Sequence, residues 1–325
     1  MKRREFIAAL GGGLTLAAGA SRTFAQSPQR RVAWLGIGSS DRPSPYVDAL
    51  RAGLGEHGWV EGRNLALNLY WAHGREDMDG VARALLATDP EVVVTQELMV
   101  YAVQPLQPAM PVIFGFSGDP VDGKLVDGLA RPGHNFTGMS YLAIALVGKR
   151  IEFLKEWLPQ LRHAAILAQP QHPGEQRERQ ASQEAVANLG LSLSNYPIAG
   201  IAELDNALAA IQRDACDALV IFPDSTMFRA SERIARFAIA AKLPSVSGWA
   251  PFAASGLLLT YGPNIRDLYR SLARYVDRIL RGARAADLPV ELPSTFELVI
   301  NANTAKAIGL TIPSSLLARA DEVIE

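Results

Sequence analysis

The sequence predicts an α/β protein of two similar lobes, each a parallel sheet covered by helices, with a ligand cleft between them. Three observations carry this reading. Short, nearly continuous apolar runs, such as Val92-Val93-Val94 and Leu219-Val220-Ile221-Phe222, alternate with amphipathic stretches of helical period, and both kinds end at Gly, Pro or Asp-Pro punctuation. Runs that are apolar on both faces are expected of strands buried between helical layers. The alternation occurs twice, and 325 residues at roughly 150 per domain accommodate two domains.

The first series reads as a strand over 32–37, a helix over 46–57 closed by Gly58, a strand over 65–71, a helix over 77–88, and strands over 92–95 and 112–116. A second series begins after Gly138: helix 146–157, strand 164–168, helix 176–189 capped by Gly190, strand 193–197, helix 202–213, strand 218–222, helix 227–241 and strand 245–247. The remainder, strand 257–261, helix 265–281 and strand 296–300, is too short for a third domain and must be divided between the lobes. The division expected is 26–137 with about 259–284 in lobe 1, and 138–258 with about 285–325 in lobe 2. Several chain crossings make a hinged clamp, with the carboxyl ends of both sets of strands at the cleft.

Residues 1–25 differ from everything after them: Lys2, Arg3 and Arg4, an apolar run over 6–20, then Thr23-Phe24-Ala25 before Gln26. This is the pattern of a signal peptide. Its apolar run is shorter than the roughly 20 residues that span a hydrocarbon core, and no later segment is long and uncharged enough to do so, so the mature chain is expected to be free of membrane-embedded segments. Arg3-Arg4-Glu5-Phe6-Ile7 resembles the twin-arginine export motif, although a paired basic start also serves the general secretory route; either delivers the chain to the periplasm. Gln26 in place of Cys argues against a lipid anchor.

Thirty-two basic against 33 acidic residues leave no positive excess to neutralise a phosphate backbone, which argues against nucleic acid as a partner. Removing the leader, which carries +3, takes the formal charge from -1 to -4. Cys216 stands alone and reads as a buried, inert thiol.

Catalytic patterns fail one by one. There is no phosphate-cradling loop of the nucleotide-hydrolase type. Gly36-Ile37-Gly38 approaches a dinucleotide fingerprint, but Asp41 stands where the third glycine belongs. Gly115-Phe116-Ser117-Gly118-Asp119 matches a nucleophile elbow only until Asp119. His57, His73, His134, His163 and His172 lack zinc-site spacing, and Asp119 and Asp122 flank a Pro120 turn where Asp caps helix starts. The expectation is a binding protein with no catalytic residues, cofactor or metal.

A set of ordered motifs then becomes recognisable: Pro45-Tyr46, Gly58-Trp59-Val60-Glu61-Gly62-Arg63-Asn64, Asp119-Pro120-Val121, Leu129-Ala130-Arg131-Pro132-Gly133, Asn135-Phe136-Thr137-Gly138-Met139-Ser140, Gly148-Lys149-Arg150, Tyr261-Gly262-Pro263-Asn264, Phe296-Glu297-Leu298-Val299-Ile300-Asn301 and Gly309-Leu310-Thr311-Ile312-Pro313. Together they resemble the ABC transporter substrate-binding proteins related to tryptophan/tyrosine-binding members, over about 31–325. The resemblance implies a type I periplasmic-binding-protein fold of two Rossmann-like lobes. It also implies capture of a small solute by hinge closure and delivery to permease and ATPase subunits. An aromatic amino acid is the first ligand expected, with aromatic carboxylates, branched-chain amino acids and small amides behind it. A periplasmic sensor presenting its closed form to a receptor is the alternative, and an exported enzyme a further one.

Capture of a zwitterion calls for hydroxyls and backbone N–H groups around the carboxylate, an acid for the ammonium and an aromatic wall. Strand ends supply Ser39, Ser40, Thr95, Gln96, Ser117 and Asp119 from lobe 1, and Gln169, Asp224 and Ser225 from lobe 2. Each could equally cap a helix or form a turn. Asp224 is the residue expected to face a ligand ammonium, with helix capping as its competing role. Tyr46, Trp249 and Tyr261 are wall candidates, or core. The chain departs from the family's usual pattern at Gln96-Glu97-Leu98, where many relatives carry a Gly-Thr-Pro-like turn, and at Ala250-Pro251-Phe252, where Arg-Glu-Phe is frequent. It departs again at Pro132-Gly133-His134-Asn135, in place of Pro-Gly-Gly-Asn, and at Gln169-Pro170, in place of Asn-Pro.

Overall fold

The computed structural model describes residues 29–39, 41 and 44–325. The expected signal peptide and Ser40 lie outside the described residues. Lobe 1 begins with β1 (Arg30–Ile37), α1 (Pro45–Glu56), β2 (Leu65–Ala72), α2 (Met78–Leu86), β3 (Val92–Gln96), α3 (Leu98–Val103), β4 (Val112–Phe116) and β5 (Phe136–Ser140). The five strands lie in the order β2-β1-β3-β4-β5, all parallel. Every residue of β3 and β4 is buried, which is why both read as unbroken apolar runs. α1 starts where the Ser44 hydroxyl accepts the Val47 N–H and Pro45 occupies the first turn.

β5 had no strand signature in the sequence, because Thr137, Gly138 and Ser140 interrupt its apolar pattern. Packing defines it instead. A Cβ on Gly138 would fall 2.0 Å from the Phe114 carbonyl oxygen of β4, and Thr137 Oγ1 donates to the Leu288 carbonyl at 2.7 Å.

Lobe 2 contains α4 (Ala143–Trp157), β6 (His163–Ala168), α5 (Glu175–Leu189), β7 (Ser192–Pro197), α6 (Leu204–Arg213), β8 (Ala218–Ile221), α7 (Ser225–Arg229), α8 (Ser231–Ala240), β9 (Ser245–Ser247), α9 (Ala250–Ala254) and β10 (Leu259–Gly262). After α10 (Ile265–Leu280) the chain adds β11 (Glu297–Asn301), α11 (Ala302–Ile308), α12 (Ser314–Leu317) and β12 (Glu322–Ile324). The seven strands run β12-β11-β10-β9-β8-β6-β7, parallel except where β11 meets β10 antiparallel. The single helix expected over 227–241 is two, α7 and α8, broken at Ala230 with φ -96 and ψ -1.

The lobe division differs from the expected one at three places. β5, which the boundary at 137 would have split, belongs whole to the lobe 1 sheet. β10, expected in lobe 1, pairs with β9 and β11 in lobe 2. Residues 285–291, expected in lobe 2, run along β5: Val290 N–H donates to Leu129 O, Glu291 N–H to Gly138 O, and Ser140 N–H to Glu291 O. α10 does pack on lobe 1, laying Leu268, Leu272 and Val276 in one core with Leu50 and Leu54 of α1. The chain therefore passes between lobes after Ser140, Gly262 and Glu291. No helix among the described residues is long and apolar enough to cross a membrane.

Candidate ligand-binding site

The carboxyl ends of β1, β2 and β3 meet α7 and the loop after β9 around a cavity of about 760 Å³. This is within the range of small-molecule sites, roughly 300–1,000 Å³. Its wall is aromatic: Tyr46, Trp71, Tyr141, Phe228, Trp249 and Tyr269 all line it. Tyr46 lies 5.0 Å from Tyr269 and 6.4 Å from Phe228, and Tyr141 lies edge-on to Trp249 at 6.2 Å. Such tilted and edge-on pairs suit the ring quadrupoles.

Hydrogen bonds fix two of these rings. Tyr141 donates its hydroxyl to Tyr269 at 2.6 Å, and Tyr269 donates to Gln96 Oε1 at 2.5 Å. Burial raises both phenols well above their ordinary range, so both keep their protons.

Beside this chain lies a buried polar cluster shared by the lobes. Ser117 Oγ donates to Glu97 Oε2 at 2.6 Å and lies 2.7 Å from His172 Nε2. The hydroxyl has one proton to give, so while Glu97 is ionised and accepts it the ring nitrogen is the donor in the second bond. Burial holds His172 down to about 3, and its ring is neutral. Burial pushes the Glu97 carboxyl up to about 8, with Asp224 and Glu178 adding repulsion and the Ser117 hydrogen bond opposing it. The lobes touch backbone to backbone here: a Cβ on Gly174, at φ +85, would lie 2.8 Å from Gly118 Cα.

Of the residues expected from sequence, Ser39, Tyr46, Gln96, Ser225 and Trp249 line the cavity. Thr95 does not, because its hydroxyl turns into the sheet and donates to Leu35 O at 3.1 Å. Ser117 is enclosed in the cluster just described. Asp119 caps an exposed turn through the Val121 and Asp122 N–H groups. Gln169 binds Ala199 O and Thr226. Asp224, only 2% exposed, is not on the lining; its Oδ1 caps α7 through the Thr226 and Met227 N–H groups, while Oδ2 is buried without a hydrogen-bond partner. Tyr261 packs against Phe153 and Phe296 in the lobe 2 core, away from the cavity.

Sequence reasoning missed Trp71, His73, Glu97, Tyr141, Phe228, Arg229 and Tyr269, all on the cavity lining. The strand-end rule could have found Trp71 and His73 at β2 and Glu97 one residue beyond Gln96. Tyr141 follows the unrecognised β5. Tyr269 lies mid-helix on the apolar face of α10, where sequence distinguishes no wall from core.

Comparison with known proteins agrees with this architecture. A curated tyrosine-binding protein of Clostridioides difficile is 22% identical over 202 residues, 62% of this chain and 57% of that relative's length. A conserved domain protein of Vibrio cholerae superposes with a TM-score of 0.84 at 28% identity, covering 91% of this chain and 99% of the other. An ABC domain of Streptococcus pneumoniae in complex with L-Trp gives a TM-score of 0.80 at 22% identity, over 90% and 100%. The fold is that of the type I periplasmic binding proteins. Residues 37–324 match a single family over nearly the whole described chain, and the protein belongs to the ABC transporter substrate binding protein family.

Proposed function

We propose that the mature chain is exported to the periplasm, captures an aromatic amino acid or aromatic carboxylate between its lobes, and hands it to the permease and ATPase subunits of an ABC importer. The observation that carries this reading is the aromatic cavity at the strand ends. Rings from both lobes offer flat apolar surface, while Ser39, Ser225 and Gln96 offer hydrogen bonds. Arg229, exposed on the same lining and without an ion pair among the described residues, is the cation for a carboxylate. The tyrosine-binding relative and the L-Trp complex support the same ligand class.

The test is a thermal-shift screen of residues 26–325, unfolded and refolded to strip carried-over ligand, against aromatic and aliphatic amino acids, aromatic acids, amides and sugars. A ligand at 100 times its Kd adds about 2.7 kcal/mol, a shift of several degrees for a chain of this size. Aromatic compounds are expected to give the shift. A shift only with sugars or aliphatic amino acids overturns the reading. Delivery is tested separately, by loss of labelled solute uptake when the gene is deleted.

A further inference from the structure

Glu97 is an acid in an apolar place. It lines the cavity with 3% of its surface exposed, directly after β3, at φ 46 and ψ -127, a backbone region that side chains avoid. One oxygen, Oε2, accepts the Ser117 hydroxyl; the other, Oε1, is buried and has no hydrogen-bond partner. No Lys or Arg among the described residues pairs with it. The groups facing it are His172, whose neutral ring lies 3.8 Å away, the acids Asp224 and Glu178, and the phenols of Tyr46, Tyr101, Tyr141 and Tyr269. Among the described residues nothing supplies the positive charge that a buried carboxylate needs. Two other lining residues also carry buried polar atoms without partners, Tyr46 Oη and Trp71 Nε1, and the indole N–H can only donate.

We propose that Glu97 is the specificity-determining residue of the cleft, selecting solutes that carry a protonated amine beside their aromatic group, with that amine donating to the unpartnered carboxyl oxygen. The inference rests on the aromatic-solute reading and narrows it, from aromatic carboxylates in general to aromatic amino acids and arylalkylamines. It has a signature in protons. A cation at hydrogen-bond distance favours the ionised carboxylate, so a site that keeps its proton at pH 7 when empty releases it on binding an amine. A ligand that instead accepted a hydrogen bond from the carboxyl would draw a proton in.

The experiment is calorimetry at pH 7 in two buffers of different ionisation enthalpy, titrating the stripped protein with L-tryptophan, tryptamine and indole-3-propionate, and with L-tyrosine, tyramine and 3-(4-hydroxyphenyl)propionate. Amine-bearing members are expected to bind at least thirtyfold tighter than their des-amino counterparts, with proton release. Glu97→Gln is expected to weaken the amine-bearing members at least tenfold and abolish the release. Equal affinity for the des-amino acids, or proton uptake, overturns the Glu97 assignment while leaving the aromatic reading intact. Binding by no member of either series overturns the aromatic reading and the proposal with it. The wild-type ligand pairs and proton count decide the matter even if the variant fails to fold.

Discussion

Arg150 and Glu178 form an ion pair with side-chain exposures of 1% and 0%, joined at 3.0 Å from Nη1 to Oε1. Arg150 Nε also donates to the Tyr261 carbonyl at 2.9 Å, tying α4 to β10 under the loop that carries Trp249. Even beside its partner, burial pushes the Glu178 carboxyl up to about 7, so desolvation outweighs the attraction of Arg150. Arg150→Met keeps an apolar stem and removes the charge and both donors. Without Arg150 the Glu178 carboxyl rises further, so at pH 8 it must stay ionised without a cation or take up a proton that is scarce in solution, and loss of one partner of a buried pair costs about 3–5 kcal/mol. At pH 5.5 Glu178 takes a proton, and the penalty falls to that of unsatisfied neutral groups, about 1–3 kcal/mol. At about 2 °C per kcal/mol, Tm should fall by about 6–10 °C at pH 8 and about 2–6 °C at pH 5.5. Arg150→Met with Glu178→Leu removes both charges and should recover most of the pH 8 loss. Calorimetry of the three proteins at the two pH values reads this out. Equal destabilisation at both pH values, or a double variant no better than the single one, refutes the argument.

Other consequences are measurable. Tyr269→Phe leaves Gln96 Oε1 without its donor and the Tyr141 hydroxyl without its acceptor, so urea unfolding should show a loss of about 1–3 kcal/mol, against none if the chain is unimportant. Gly118→Ala places a Cβ 3.0 Å from the Pro173 carbonyl carbon across the lobe boundary. Overpacking of about 1–3 kcal/mol there should open that flank, raising the radius of gyration in small-angle scattering and weakening any bound solute about 5- to 150-fold. Glu97 rises from 4.5 to about 8 and Asp224 from 3.8 to about 7 on folding, so the folded state holds more protons than the unfolded one between these values. The stability they contribute is complete below about pH 4 and lost as pH rises to about 8. Chemical denaturation should therefore show stability falling across that window, and Glu97→Gln should flatten the slope.

The sheets were legible in the sequence because a parallel strand covered on both faces has nowhere to place a polar side chain, so β3, β4, β6 and β8 appear as apolar runs. β5 was hidden because Thr137, Gly138 and Ser140 break its apolar pattern: only Phe136 and Met139 join the cores, and Gly138 lets the backbone fit closely against β4. The lobe boundary failed for a related reason: β10 and the 285–291 segment are assigned by partners distant in sequence, which periodicity cannot report. Site residues divide along the same line. Ser, Thr and Asp at strand ends are the residues that also cap helices and turns, and Asp224 and Asp119 took that role. Alternation along β3 sends Thr95 into the sheet and Gln96 to the cavity, a distinction the strand-end rule leaves out. Aromatics gave no signal of their own, because a wall and a core bury the same rings.

The wall is unevenly held, and this bears on how the cleft works. Tyr141, at the crossing after β5, is bonded to Tyr269 and Tyr269 to Gln96, which ties that part of the wall to lobe 1. Phe228 and Trp249 reach it from lobe 2 through ring contacts alone, to Tyr46 and Tyr141. Hydrogen bonds require fixed geometry, whereas ring contacts tolerate separation and return. The lobe 1 part of the wall is thus the one held by hydrogen bonds, while lobe 2 adds Phe228 and Trp249 together with the polar Ser225 and Arg229. On the cavity lining itself the buried polar atoms without partners are those of Glu97, Tyr46 and Trp71, all in lobe 1. A polar group awaiting a ligand is useful only where its position is already fixed, because a mobile one would have to be ordered at the moment of binding.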